Sequence, residues 1–177
     1  MLIRSRMGVS ADGFIATPDG LPTLAIMPGF VPAASHGYPE FIASCDAAVM
    51  GRTTFLPALG APAWPWAGLQ VYVLTSHPLP ANSPAGVIAV GGPQEMAKQL
   101  RSRGSDGDVH LVGGPRTIRA FHEIGALDRL ELVILPILLG NGIPLSPPGA
   151  PSVPLRLLRA DRTFPDGSAE VVYAPGA

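Results

Sequence analysis

The chain has 177 residues, 47% of them hydrophobic and 14% charged, which fits a globular chain with a sizeable core and excludes a disordered one. Its formal net charge of -1 excludes an electrostatic footprint for nucleic acid or for an anionic membrane surface. Cys45 is the only cysteine, so no intramolecular disulfide forms. The N-terminus lacks a long apolar stretch of the signal-peptide kind, and no run approaches the roughly 18 apolar residues that span a bilayer. The expected address is therefore cytoplasmic, with no membrane and no nucleic-acid partner.

Residues 1–9 read as a first strand. Ser10-Ala11-Asp12-Gly13 is turn chemistry, and residues 14–16 resume an extended course. Residues 17–36 are rich in proline and glycine and follow no period; a loop of that length inside a compact domain is usually functional or mobile. A short helix over 39–44 precedes an apolar strand over 47–50 that ends at Gly51. A helix over 53–59 is then stopped by Gly60 and Pro62. The strand 71–74 leads into Thr75-Ser76-His77-Pro78, and the strand 87–90 closes at Gly91-Gly92. A helix from Pro93 carries Met96 and Leu100 one turn apart on its inner face and ends before Gly104. The strand 109–112 ends at Gly113-Gly114, followed by a helix with Ile118 and Phe121 inward and Gly125 at its end. After a strand over 130–135, segments 155–163 and 169–173 read as a hairpin around Pro165-Asp166-Gly167. The pattern predicts one α/β domain over residues 1–177. Its central sheet is mostly parallel, flanked by helices, and finished by an antiparallel C-terminal hairpin.

In such a sheet, ligands bind beyond the carboxyl ends of the strands. Two strand-to-helix turns stand there, Gly51-Arg52-Thr53-Thr54 and Gly113-Gly114-Pro115-Arg116-Thr117. A helix start offers unpaired N–H groups and partial positive charge, which suits a phosphate. Glycine lets a ligand approach the backbone, threonine hydroxyls can donate to phosphate oxygens, and arginines can pair with them. Each turn taken alone also reads as a tight turn with a capping threonine. A third turn, Thr75-Ser76 with Arg52 nearby, suits the 2′-phosphate that separates NADPH from NADH; it also reads as a polar loop start. The chain has no G-x-G-x-x-G fingerprint, no G-x-x-x-x-G-K-[ST] loop and no G-x-S-x-G elbow. His36, His77, His110 and His122 lack metal-ligand spacing, so no metal is expected.

Five segments carry a resemblance. They are Met7-Gly8-Val9-Ser10-Ala11-Asp12-Gly13-Phe14-Ile15-Ala16, Asp46-Ala47-Ala48-Val49-Met50-Gly51-Arg52-Thr53-Thr54-Phe55, Val73-Leu74-Thr75-Ser76, Val112-Gly113-Gly114, and Leu130-Glu131-Leu132 with Pro136-Ile137-Leu138-Leu139-Gly140-Asn141-Gly142-Ile143-Pro144-Leu145. In this order they resemble the dihydrofolate reductase-like superfamily. The nearer branch is the one typified by the C-terminal reductase domain of the bifunctional riboflavin-biosynthesis deaminase–reductase. The resemblance implies a dihydrofolate reductase-like fold and an NADPH-dependent reductase of a small pteridine- or pyrimidine-like substrate. It places Arg52, Thr53 and Thr54 on the pyrophosphate and 2′-phosphate, Thr75 and Ser76 on the 2′-phosphate side, and Gly113, Gly114, Pro115, Arg116 and Thr117 on the pyrophosphate. Gly8, Ile15 and Ala16 would line the nicotinamide. A homodimer through the late strands is implied as well.

The chain departs from that branch in two ways. A deaminase domain with its zinc ligands is not expected among these residues, and Val112, Pro115 and Arg116 stand around the Gly-Gly pair where the riboflavin enzymes often carry an acidic residue. The acidic residue that folate reductases keep near the pterin has a candidate in Glu40. Neither substrate is therefore carried over. Hydride transfer requires a proton as well as a hydride, and Asp12 is the acidic residue of the first matching segment. It reads either as a proton donor or, before Gly13, as a turn stabiliser. Phe14, Met27, Phe30, Phe41, Trp64 and Trp66 read either as an apolar substrate wall or as ordinary packing. Beside the reductase stand two further readings, a nucleotide-binding module of the same fold without activity and a purely structural dimer subunit.

Overall fold

The structure is a computed structural model that describes residues 1–32 and 34–176. In chain order the elements are β1 (Ile3–Ser10), β2 (Phe14–Ala16), a 3-10 turn (Thr23–Ile26), α1 (Tyr38–Ala43), β3 (Cys45–Gly51), α2 (Arg52–Ala58), β4 (Gln70–Leu74) and β5 (Ile88–Val90). They continue with α3 (Pro93–Arg101), β6 (Asp108–Gly113), α4 (Pro115–Glu123), β7 (Arg129–Leu135), β8 (Ile143–Pro144), β9 (Leu155–Thr163) and β10 (Ala169–Pro175). The hydrogen-bonded order is β5-β4-β3-β6-β1-β7-β10-β9, with β2 and β8 as a separate pair. Every element expected from the sequence is present. The two-residue strand β8 is new, because a segment so short, ending in proline, carries no period to read. Among the described residues no helix is long and apolar enough to cross a membrane.

The chain forms two compact units. The first holds Met1–Ser5 and Glu40–Asp128, the second Arg6–Pro39 and Arg129–Ala177. In the first, β5, β4, β3, β6 and the start of β1 are parallel neighbours. Strand β3 is a run of small and apolar residues, with Ala47, Ala48, Val49 and Met50 fully buried, as a strand covered on both faces requires. Helix α3 begins with Pro93 and turns Met96, Ala97 and Leu100 inward; α4 begins with Pro115 and buries Thr117, Ile118 and Phe121. Trp64 and Trp66 belong to this packing. Trp66 is buried with Met50, Phe55 and Val73, and the Trp64 ring meets Phe55 at 6.0 Å and Trp66 at 5.2 Å, both edge-on. Phe41 likewise packs edge-on against His110 at 4.9 Å. Phe41 and Trp66 are therefore core residues of the first unit, with partly buried Trp64 packed against Trp66.

In the second unit, β10 runs antiparallel to both β7 and β9. Alternation along the strands gives two different faces. One gathers Val9, Leu130, Leu132, Ile134 and Tyr173. The other gathers Val133 and Leu135 with Leu24, Met27, Phe30 and Phe164. This second face also buries charge. Arg6 Nη1 lies 3.3 Å from Glu131 and Arg6 Nη2 lies 2.7 Å from Glu170; all three side chains are at most 5% exposed, and Arg159 pairs with Glu170 as well. Arg6 also donates to the His36 carbonyl. His36 is held at φ 55 and bonds Asp166 through Nε2 at 2.8 Å, which ties the end of the long loop to the β9–β10 turn.

Candidate functional site

The first unit brings three of the sequence-read turns together. Parallel pairing sets Gly51 level with Leu74, and Met50 level with Gly113, so the turns after β3, β4 and β6 emerge side by side. Gly51 precedes α2 and Gly114 precedes α4, and neither helix start carries a side-chain cap. At α4 the first position, Pro115, has no N–H and Thr117 N bonds the Gly114 carbonyl at 2.9 Å, so the donors at these two helix starts are backbone groups without a side-chain cap. Gly51 is required by contact: a Cβ there would meet Thr117 Oγ1 at 2.6 Å. Gly113 sits at φ 121, a conformation open to glycine, and the Gly113–Gly114 peptide is cis. Thr54 Oγ1 lies 3.8 Å from the position a Gly114 Cβ would take. The two glycine turns thus form one cradle with two threonine hydroxyls inside it. Thr117 is buried, with its hydroxyl set against the Gly51 turn, whereas Thr53 and Arg116 are exposed.

Arg52 donates from Nη1 to the Pro78 carbonyl at 2.8 Å, which fixes its guanidinium beside the turn after β4. In that turn Thr75 Oγ1 accepts from His77 N at 3.0 Å, and Ser76 is exposed. The guanidinium keeps further N–H donors beyond the one that meets Pro78, and a guanidinium beside a hydroxyl turn is chemistry suited to a dianionic phosphate.

Gly8, Asp12, Ile15 and Ala16 lie in the second unit. Gly8 is buried, and a Cβ there would meet Leu24 at 2.9 Å. Ile15 packs with Val9 and Leu145 on the apolar face, and Ala16 is buried. The Asp12 carboxylate is fully engaged. It accepts from Ser10 Oγ at 2.6 Å, from Leu139 N at 3.0 Å and from Gly140 N at 2.7 Å. Those bonds, from Ser10 first and then Leu139 and Gly140, hold Asp12 ionised with a pKa of about 2. Ser10 Oγ also accepts from Phe14 N at 2.9 Å, which makes it the hub of the turn. A serine two residues before an Asp-Gly pair was the available signal for that role.

Asp166 behaves similarly: burial works against its charge, but bonds from Ser168 and His36 outweigh it and bring its pKa to about 2. Both carboxylates therefore titrate below their ordinary 3.8 in the folded chain. The stability they contribute is fully present above that value and is lost as pH falls from it toward about 2. Urea unfolding at pH 5, 4 and 3 is expected to show a falling midpoint that flattens in Asp12→Asn and Asp166→Asn. An unchanged slope in both variants would contradict the assignment. Among the described residues no group of His, Cys, Asp and Glu side chains gathers in a way that could hold a metal ion.

A family model described as the RibD C-terminal domain matches residues 2–167. The Bacillus subtilis (strain 168) protein YwjB, itself uncharacterised, is 27% identical over 141 residues, which cover 78% of this chain and 79% of YwjB. A Shewanella sp. PV-4 protein, provisionally named for riboflavin biosynthesis, superposes with a TM-score of 0.82 at 24% identity, over 100% of both chains. The Thermotoga maritima diaminohydroxyphosphoribosylaminopyrimidine deaminase/5-amino-6-(5-phosphoribosylamino)uracil reductase superposes with a TM-score of 0.70 at 15% identity, over 99% of this chain and 56% of that one. The superpositions establish the fold.

Proposed function

Because the chain belongs to the RibD C-terminal domain family, we propose that it is an NADPH-dependent reductase of a small planar heterocycle of the pteridine or pyrimidine kind. The observation that carries this reading is the cradle in the first unit, where uncapped glycine turns, threonine hydroxyls and Arg52 meet at neighbouring strand ends. Gly51, Gly113 and Gly114 give backbone access for a pyrophosphate, with Pro115, Arg116 and Thr117 opening the helix behind it. Thr53 and Thr54 supply hydroxyls, and Arg52 with Thr75 and Ser76 suits the 2′-phosphate. Gly8, Ile15 and Ala16 are assigned to the nicotinamide end. When bound, the cofactor supplies the hydride. Asp12 is assigned to the turn and not to proton donation, because three donors hold its carboxylate ionised at neutral pH. The test is consumption of NADPH over a panel of pteridines, pyrimidinediones and related ring ketones and imines. Consumption with at least one ring class supports the reductase, whereas saturable binding with none consumed would favour the inactive binding module.

The proposed assembly is a homodimer through β9. This strand is an edge, and it exposes Leu155, Leu157 and Leu158. Long exposed apolar edges are usually covered. Antiparallel pairing of two copies about Ala160 would set each Arg159 opposite the other copy's Asp161. Light scattering is expected to give twice the chain mass of 18.3 kDa, falling to one chain mass in Leu157→Lys; a wild-type monomer would contradict it.

A further inference from the structure

In the second unit, residues 11–16 are stitched to residues 137–145 at several points. Ala11 N donates to Ile137 O at 2.8 Å, and Leu145 N donates to Gly13 O at 2.9 Å. Strand β2 pairs Phe14 with Pro144 and Ala16 with Ile143. Gly142 approaches so closely that a Cβ there would stand 2.3 Å from the Ala16 carbonyl oxygen. Between these backbone links lies the tip of the loop, residues 138–141, and apolar burial does little to hold it: Leu138 is 77% exposed. The tip is held by a side chain, with the two Asp12 oxygens taking the N–H groups of Leu139 and Gly140. Ser10 Oγ fixes the orientation of that carboxylate and at the same time bonds Phe14 N. On its other side β2 is held by buried Thr23, whose hydroxyl donates to the Phe14 carbonyl at 3.0 Å.

We infer that Asp12 is a positioning residue, which draws the Leu139–Gly140 backbone in, seats Gly142 on the Ala16 carbonyl, and thereby sets β2 for the nicotinamide end of the cofactor. The inference rests on the reading of the chain as an NADPH-binding reductase. Asp12 and every residue it ties lie in the second unit and are assigned to the nicotinamide end, so Asp12 acts on that end alone. That selectivity separates positioning from general support of the fold, which would weaken both ends together.

The experiment titrates wild type, Asp12→Ala and Asp12→Asn with NADPH and with 2′,5′-ADP, the adenine half that lacks nicotinamide. Amide hydrogen exchange is followed in parallel without ligand. In Asp12→Ala, NADPH affinity is expected to fall about tenfold or more, while 2′,5′-ADP affinity stays within about twofold. Asp12→Asn keeps one acceptor oxygen and is expected to fall between alanine and wild type. Exchange in Asp12→Ala is expected to quicken at residues 14–16 as well as at 139–140. Equal loss of both ligands, or unchanged NADPH affinity, overturns the inference. So does faster exchange confined to 139–140, because the effect would then not reach β2. If wild type binds neither ligand, the NADPH reading itself fails, and the exchange arm still decides whether Asp12 sets β2.

Discussion

Replacement of Arg6 by alanine is expected to lower the unfolding free energy by about 3–5 kcal/mol and the melting temperature by roughly 10 °C. Arg6 is 5% exposed and lies between Glu131 and Glu170, themselves 2% and 0% exposed. Bringing these charges out of water costs several kcal/mol each, and their mutual attraction offsets it only while the set is complete. Arg159 still reaches Glu170, but its side chain is half exposed, so it is a weaker counter-charge. Without Arg6 the two carboxylates share a dry face, and the His36 carbonyl loses its donor. The triple variant Arg6→Met, Glu131→Gln, Glu170→Gln removes the charges together and is expected to recover part of the loss. Thermal and urea unfolding measure both. A loss under about 1 kcal/mol in Arg6→Ala would show that solvent reaches the cluster.

Arg52→Ala is expected to weaken NADPH about 10–100-fold and NADH by less than about threefold. A charge-assisted hydrogen bond contributes about 1.5–3 kcal/mol, and only NADPH carries the phosphate that would receive it. Arg52 is already oriented by its bond to Pro78, so little side-chain freedom remains to be lost on binding. Paired titrations with the two dinucleotides measure the effect. Equal weakening of both would contradict the 2′-phosphate assignment and place Arg52 on the shared pyrophosphate.

The sequence made visible those features that depend on local repetition. Apolar runs ending in glycine marked β3 and β6, and the three-to-four-residue spacing of Met96 with Leu100, and of Ile118 with Phe121, marked the buried faces of α3 and α4. The strand-end turns were legible because glycine, threonine and arginine cluster there. Their closeness was not, since the contact of Gly51 with Thr117 joins positions 66 residues apart. Asp12 shows the same limit more sharply. Its turn is readable from Asp-Gly alone, but its partners are 127 and 128 residues away, and they are what commit the carboxylate to bonding. Arg6, Glu131 and Glu170 look like the solvent side of alternating strands. Only the covering loop, tied down at His36, turns that side into an interior. Trp64 and Trp66 read from the sequence as a substrate wall or as ordinary packing, because a flat ring fills a core as well as it lines a pocket.

Equilibrium titration of the wild-type chain with NADPH and NADH, followed by calorimetry, decides whether the chain holds a nucleotide selective for the 2′-phosphate. Saturable, one-per-chain binding of NADPH is expected in the range of about 1 μM to 1 mM, at least tenfold tighter than NADH. No heat of binding with NADPH at millimolar concentration, or no preference over NADH, would contradict it.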